Sequence, residues 1–385
     1  MKIVTAQEYS SGQAGAALLT GSAALLILGL QPILLGELVA GGAASMEGVG
    51  VVAMAEIMAL GLGVALGDCL LPLTRYRLVT VLAALSAAGF DIGSCGAHGD
   101  IELAVWRAAA GLVEGIQVWA ATCVIVRSAK PDRLVAVFMV VQTASQSAAA
   151  AWLAWGVIPH GGWQAGFQAL ALLAMLAVLC APCLPYALRP LPAPASGKFS
   201  WSVQAVLPLA TAFLQMSAIG ALWAYLEPLG LAAGLNAQAT QSVVSMALLT
   251  QVLGGVAAVV LIRRLAVVRT LGAGIALLAA VSGAIGLLPA GQSTAFVLLC
   301  AVFGFVWLFL MPFHVALAFR ADPGGRVAML VPAAQLLGCA IGPLVASLLI
   351  HGEDAAPVPP VSASFAVAAL VTVLLCRAGH AGRSK

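Results

Sequence analysis

The chain has 385 residues, of which 62% are hydrophobic and only 8% are charged, whereas a soluble domain carries charge on roughly 25% of its residues. This composition excludes a soluble globular fold, because no core of this size can bury so much apolar surface. The formal net charge of +3 comes from dispersed basic residues, and without a basic face it predicts no nucleic-acid partner.

Twelve apolar stretches follow one another along the chain, and each is long enough to cross a bilayer core of about 30 Å as a helix. We number them as spans 1 to 12. In chain order they lie at 14–36, 48–70, 78–97, 102–126, 134–157, 163–186, 202–230, 238–262, 267–288, 294–318, 327–350 and 361–377. The first is too long for the apolar region of a signal peptide, so it is predicted to be a membrane helix. The chain is therefore predicted to be an all-α membrane protein.

Loops containing Gly and Pro separate the spans, and the longest break falls near the middle of the chain. This Pro-rich segment is predicted to be a linker. The two sides of the break are weakly alike, since both span 5 and span 11 carry Gln and Ser residues. We predict two pseudo-symmetric six-helix bundles, at 1–188 and 201–385, joined by a cytoplasmic linker at 189–200.

The positions of the basic residues are consistent with one membrane topology along the whole chain. With the N-terminus in the cytoplasm, the 17 Lys and Arg residues all fall in cytoplasmic segments except Arg107, which lies inside span 4. The outer loops carry acidic residues instead, namely Glu37, Glu47, Asp100, Glu353 and Asp354. The excess of basic residues on one side predicts a multi-pass protein of the cytoplasmic (inner) membrane with both termini in the cytoplasm.

Three local patterns resemble those of the major facilitator superfamily of transporters. They are Arg107-Ala-Ala-Ala-Gly111 in span 4, Gly67-Asp68 followed by Arg75 and Arg77, and Gly338-Cys-Ala-Ile-Gly342-Pro343 in span 11. With the twelve spans and the midpoint linker, the resemblance covers the whole chain. It implies that spans 1, 4, 7 and 10 line a central cavity, that spans 2, 5, 8 and 11 flank it, and that the other four spans face lipid.

Two departures from the family pattern leave the direction of transport open. The loop after Asp68 lacks the usual Gly-Arg-Lys run and has Pro72 and Thr74 instead. Span 5 lacks the glycine-proline signature of the family's antiporters. The general pattern is nearest to the sugar- and drug-efflux permeases, and this resemblance implies efflux.

Ionisable residues inside the spans are the strongest functional signal. Glu56, Asp91, Arg107 and Glu114 lie within spans 2 to 4, where a charged group costs about 2.5–3.5 kcal/mol and is a functional candidate. Arg107 and Glu114 share one helix face, about 10 Å apart along the axis. We predict that these four residues couple transport to protons, because a carboxyl group removed from water readily takes up a proton. The alternative is a static ion pair, for example between Arg107 and Asp91.

Two further acids are candidate gates. Asp68 lies at the cytoplasmic end of span 2, where it either closes a gate between the halves or lies as a charge at the membrane surface. Glu227 precedes Pro228 near the outer end of span 7, where it is either a gate or a solvated helix end. These alternatives stay open at the level of the sequence.

Polar and aromatic side chains are concentrated in the spans that the resemblance places around the cavity. Amides and indoles suit hydroxylated or amphipathic solutes. His314 is either an interior histidine held by hydrogen bonds or a proton relay. The predicted substrate-binding residues are Gln31, Gln117, Gln142, Gln146, Gln215, Trp223, Gln241, Trp307, His314 and Gln335.

Other chemistries find little support in the sequence. The eight Cys residues lie in or at the ends of apolar stretches and do not form a disulfide framework. Cys180 and Cys183 form a C-x-x-C pair that is better explained by packing than by a metal or redox role. No P-loop is present, so ATP does not drive the protein. We predict no enzyme activity, no cofactor and no bound metal.

These observations together predict a secondary active transporter. It is expected to move a small organic solute out of the cell by alternating access, coupled to protons, as a monomer in the lipid bilayer. Import of a small sugar or organic acid is the alternative within transport. A non-transporting sensor or assembly factor is the alternative outside it, although such proteins usually carry a soluble domain or a long loop.

Overall fold

The computed structural model describes residues 9–129, 131–190, 201–322, 325–352 and 354–381. Regular structure within these ranges consists of helices. The predicted linker lies outside the described residues from position 191 onward. Both chain termini lie outside them as well, at 1–8 and 382–385, as do Lys130 and Glu353. The boundaries of the two bundles therefore stay a prediction.

Spans 1 and 7 are each broken into two helices in the described part of the chain. Span 1 consists of Ser11–Ala24 and Leu26–Ala40, and span 7 consists of Val203–Ala224 and Leu226–Ala232. The other spans are Gly48–Leu70, Tyr76–Ser94, Asp100–Arg127, Pro131–Trp152, Ile158–Cys180, Ala237–Leu261, Val267–Gly286, Ser293–Ala321, Arg326–Ser347 and Val358–Ala381.

Spans 5 and 6 follow each other almost without a loop. Within the described residues, eleven helical segments are long and apolar enough to cross a membrane, and one of them, Arg133–Cys183, has 51 residues. A helix of that length is more than twice as long as the bilayer core is thick. It is interrupted at Gly162, whose φ of 61° is not helical. The segment is therefore two spans, and the prediction of an all-α membrane protein with twelve spans is confirmed for the described residues.

The helices pack as two six-helix halves. Spans 2 and 4 form the tightest pair of the first half, and spans 8 and 10 are a close pair in the second. The halves meet mainly where span 2 packs on span 11 and where span 5 packs on span 8. Spans 3, 6, 9 and 12 pack mainly within their own half. This is the arrangement that the resemblance implies, with four flanking spans at the interface and four spans at the periphery.

Glycines allow the backbones of spans 2 and 4 to touch. A methyl group on Gly111 would overlap the carbonyl oxygen of Glu56, and one on Gly115 would overlap that of Leu60. Small residues permit this close approach between membrane helices. The contact fixes Glu56 of span 2 against the face of span 4.

The second half repeats this packing. A methyl group on Gly304 of span 10 would overlap the carbonyl oxygen of Ala247 in span 8. Gly254 likewise faces the carbonyl of Phe305. Gly304 and Ala247 therefore correspond to Gly111 and Glu56, which identifies equivalent positions in the two halves.

The loops define two ends of the molecule. We call one the basic end, where Arg75, Arg77, Arg127, Arg189, Arg263, Arg264, Arg269, Arg320 and Arg326 lie. We call the other the acidic end, where Glu37, Glu47, Asp100 and Asp354 lie.

Four hydrogen bonds that join the halves all lie toward the acidic end. They run from Trp223 to the Leu28 carbonyl, from Gln241 to Glu37, from Ser147 to the Ser245 carbonyl and from the Gly352 amide to Glu47.

The halves are apart toward the basic end. In span 5, Val135 and Met139 lie on one helix face, Val137 and Val140 lie on nearly the opposite face, and all four are exposed. A helix at the edge of a closed bundle buries one face. Further along the same span, Ser147 is buried. The structure is thus closed at the acidic end and open toward the basic end.

Candidate functional site

An arginine inside the first half holds two carboxylates from neighbouring spans. Arg107 donates from Nη1 to Asp91 Oδ1 at 2.6 Å and from Nε to Glu56 Oε1 at 2.8 Å, and its Nη2 contacts the same Glu56 oxygen. The ring of Phe167 lies 5.0 Å from the guanidinium carbon. Glu56, Asp91 and Arg107 are each at most 2% exposed. The pair between Arg107 and Asp91, considered above as an alternative, is present, and Glu56 joins it.

Glu114 completes this group, which we call the ionic cluster: Glu56, Asp91, Arg107 and Glu114. Glu114 Oε1 lies 4.0 Å from Arg107 Nη2, and Glu114 Oε2 has no hydrogen bond. The side chain is 7% exposed. The cluster therefore holds three carboxyl groups around one guanidinium group, and Glu114 is the carboxyl group with the weakest link to the cation.

The second half has an aromatic cluster at the equivalent place. Trp223 lies edge-on to Trp307 with ring centroids 5.3 Å apart, and Phe303 contacts both rings. Trp307 follows Gly304 by three positions, as Glu114 follows Gly111. The two halves are thus alike in backbone packing but differ in chemistry, since one carries charges where the other carries aromatic rings.

Trp223 also hydrogen-bonds to span 1 across the interface. Pro32 has no N–H group, so the carbonyl of Leu28 lacks its helical donor. The indole Nε1 of Trp223 donates to this carbonyl at 2.7 Å. A side chain of one half therefore satisfies a backbone group that a proline leaves unpaired in the other half.

We expect Trp223→Phe to destabilise the protein by about 1–3 kcal/mol, because it leaves the Leu28 carbonyl buried without a donor. Thermal unfolding of the purified protein measures the effect. Trp119→Phe is the matched control, since Trp119 is buried and its indole nitrogen has no hydrogen bond. Equal losses for the two variants would show that the Trp223 hydrogen bond contributes nothing.

Three polar residues of the second half form one hydrogen-bonded chain. Gln335 Nε2 donates to His314 Nδ1 at 3.0 Å, and His314 Nε2 lies 2.8 Å from Gln215 Oε1. Because Nδ1 accepts, the neutral ring carries its proton on Nε2 and donates it to Gln215. Gln215 Nε2 is left without a partner. The chain joins spans 7, 10 and 11 and presents one unused donor.

A third polar group closes the acidic end. Gln241 of span 8 donates from Nε2 to Glu37 Oε1 at 2.7 Å and to Glu227 Oε1 at 3.3 Å. Glu227 is 1% exposed, so it is not a solvated helix end. The expectation that Glu37 is an outer-loop residue is wrong, because the helix Leu26–Ala40 continues past it. The apolar run Leu38-Val39-Ala40 before Gly41 was the signal for this.

The remaining predicted residues are not gathered at a single point. Gln146 donates to the Leu25 carbonyl at the break of span 1. Gln31 lies beside Glu56, and Gln117 is buried with an unpartnered Oε1. Gln142 is half-buried, and Asp68 is exposed without an ion pair in the described part of the chain. The roles of these residues stay predictions.

Comparison with known proteins gives structural but not sequence matches. No protein-family model matches the chain, and no curated protein matches its sequence. A mutant of the nucleoside transporter NupG superimposes with a TM-score of 0.75 at 11% identity, covering 96% of this chain and 99% of that one. The D-xylose-proton symporter superimposes with a TM-score of 0.68 at 14% identity, covering 94% and 95%.

A further match is a bacterial homologue of the human lysosomal transporter Spinster, in an inward-facing and occupied conformation. Its TM-score is 0.62 at 14% identity, and it covers 95% of this chain and 94% of that one. All three similarities extend over nearly the full length of both chains. The chain is therefore a multi-pass membrane protein with the fold of major facilitator superfamily transporters, as its resemblance to that superfamily predicts.

Proposed function

We propose that this protein is a proton-coupled secondary transporter of a small organic solute that works by alternating access. The fold, shared with a nucleoside transporter and a xylose-proton symporter, supports transport. Closure at one end and opening toward the other support alternating access. The ionic cluster is the single observation that carries proton coupling.

The charge of the cluster supports protons as the coupling ion. With every group ionised, three buried carboxylates would face one guanidinium, and an uncompensated buried charge is costly. Binding of a proton relieves the imbalance. Arg107 already donates to Glu56 and Asp91, while Glu114 lacks a hydrogen bond to the cation. We therefore assign the transported proton to Glu114.

The second half is the better candidate for solute binding. The rings of Trp223, Phe303 and Trp307 offer apolar faces, and the unpartnered Gln215 Nε2 offers a donor. Such a combination fits a solute with a ring and hydroxyl or carbonyl groups. In this arrangement the first half binds the coupling ion and the second half binds the cargo.

The charges at the two ends support one orientation in the membrane. The excess of arginine at the basic end supports a cytoplasmic location for that end. The structure then represents an inward-facing state, closed to the outside. Lys2, Lys130, Lys198, Arg383 and Lys385 would add to the cytoplasmic charge, but they lie outside the described residues.

Two directions of transport are compatible with this site. Efflux is the direction that the resemblance implies. Import is the second candidate, and the structural similarity to a D-xylose-proton symporter favours it. Vesicles with an imposed pH gradient separate the two, because a symporter accumulates solute on the alkaline side and an antiporter on the acidic side.

We expect Glu114→Gln to abolish accumulation driven by a pH gradient while solute exchange at equal pH continues. A gradient of one pH unit drives about tenfold accumulation for one coupled proton, and the variant should show none. The measurement uses proteoliposomes with radiolabelled D-xylose or a nucleoside, chosen by which probe raises the melting temperature of the protein. Infrared titration of the carboxyl C=O stretch tests proton binding without any solute.

Glu102→Gln is the matched control, because Glu102 lies on the same span and is exposed at the acidic end. It should keep both the pH response and the exchange activity. Full pH-driven accumulation by Glu114→Gln would contradict the assignment. Loss of exchange together with accumulation would show instead that Glu114 binds the solute.

A further inference from the structure

The polar group at the acidic end joins the two halves through a single amide. Glu37 comes from span 1 of the first half, while Gln241 and Glu227 come from spans 8 and 7 of the second. The amide nitrogen of Gln241 donates to both carboxyl groups. Glu227 Oε2 is buried without a hydrogen bond and occupies the space that a side chain at Gly36 would need. Two carboxyl groups thus meet across the interface with one shared donor group.

No basic side chain offsets these carboxyl groups in the described part of the chain. An adjoining cavity of about 560 Å³ is lined by Glu227 and Asp354 together with apolar residues of spans 1, 7, 9 and 10. Among the described residues, the titratable groups at the acidic end of the elements packed around Glu227 are Glu37, Tyr225 and Asp354. The titratable groups Arg269, Cys300, His314 and Arg320 lie further along spans 9 and 10. Each of the three groups at the acidic end is neutral or negative, so closure of this end brings acidic groups together without a cation.

We propose that Glu37, Gln241 and Glu227 form a second proton-binding site, separate from the ionic cluster, which exists only while the acidic end is closed. The proposal rests on the alternating-access function and adds a site to it. Two ionised carboxylates held by one amide would repel each other in surroundings of low dielectric constant. A proton bound to Glu227 Oε2 forms an O–H bond and removes this repulsion. The proton is released to water when the halves separate.

The site links closure to the acidity of the compartment at the acidic end. Because the closed state binds the proton and the open state releases it, protons must favour closure to the same extent that closure favours proton binding. For one proton, the ratio of closed to open molecules changes by up to about tenfold per pH unit. Low pH at this end therefore favours the state seen in the structure.

Distances between spin labels at the acidic end test the proposal. Labels at Ile101→Cys and Leu287→Cys, both exposed and on opposite halves, should show a short closed and a long open distance. They are placed in a full-length variant with its native cysteines replaced. We expect the short distance to gain population as the pH falls. The dependence should disappear in Glu37→Gln and in Glu227→Gln, with the closed state populated at every pH.

Two controls separate this site from other effects of pH. Glu47→Gln should keep the dependence, because Glu47 also bridges the halves at this end but is exposed. All labelled proteins also carry Glu114→Gln, so that proton binding at the ionic cluster does not contribute to the response. A dependence that survives in the Glu37→Gln and Glu227→Gln variants would overturn the proposal.

Other outcomes are equally decisive. A response to added NaCl at constant pH that exceeds the response to pH would assign the site to a metal cation and overturn the assignment to a proton. Two distances with populations independent of pH would refute the proton site and leave alternating access intact. A single distance under all conditions, even with a transported probe, would contradict alternating access itself.

Discussion

Replacement of Arg107 by methionine is expected to lower the free energy of unfolding by about 3–5 kcal/mol, because it leaves buried carboxylates without their cation. Glu56 and Asp91 would each lose a charged donor. Since protonation neutralises a carboxylate, the loss should be smaller at low pH and should grow as the pH rises. Thermal unfolding in detergent over a pH series measures both effects.

Restoring the balance of charge should restore much of the stability. In the quadruple variant Arg107→Met, Glu56→Gln, Asp91→Asn, Glu114→Gln, no ionisable group of the cluster remains, and replacing a whole buried ionic group is far less costly than breaking it. Arg133→Met, at an exposed position of span 5, serves as the surface control. A single variant as stable as the wild type at high pH would show that Arg107 does not hold the cluster together.

The second large effect is expected at the contact between spans 2 and 4. Gly111→Val places a side chain against the Glu56 carbonyl, and overpacking of this kind costs about 1–3 kcal/mol. The helices must move apart, which withdraws Glu56 from Arg107. We therefore expect loss of pH-driven accumulation as well as loss of stability, measured in the same vesicles and by thermal unfolding.

Control variants at two other glycines distinguish an effect on helix packing from an effect on proton coupling. Gly61→Val adds the same side chain to span 2 where nothing lies within 4 Å, so it should leave both properties nearly unchanged. Gly304→Val produces the equivalent clash in the second half, where Ala247 replaces Glu56. It should cost similar stability but keep the response to pH. Identical transport defects in Gly111→Val and Gly304→Val would argue against a coupling role for the contact.

The spans were predictable because lipid imposes a simple rule on the sequence. A membrane helix needs roughly 20 apolar residues, and span 2 was placed at 48–70, the limits that the structure has. The breaks at Leu25 and Tyr225 were not predicted. The breaks depend on groups outside their own span, such as the Gln146 amide that donates to the Leu25 carbonyl. The length of an apolar stretch does not reveal such contacts.

The sequence predicted which residues belong to the candidate site but not which of them bond to each other. Glu56, Asp91, Arg107 and Glu114 stood out because charges are rare in spans. The periodicity of one helix cannot show which face of span 2 meets span 4, so the bond from Arg107 to Glu56 was not foreseen. Glu37 was assigned to a loop because the predicted span ended at residue 36, four residues before the end of the helix at Ala40.

The break in span 1 has a mechanical consequence. Beyond Leu25, the 15 residues of Leu26–Ala40 form a lever arm of about 22 Å, whereas the seven residues of Leu226–Ala232 form one of about 10 Å. A bend of about 20° at each break would move the two tips by about 8 Å and 4 Å. Equal bends at the two breaks would therefore move the tip of the span 1 arm about twice as far as the tip of the span 7 arm.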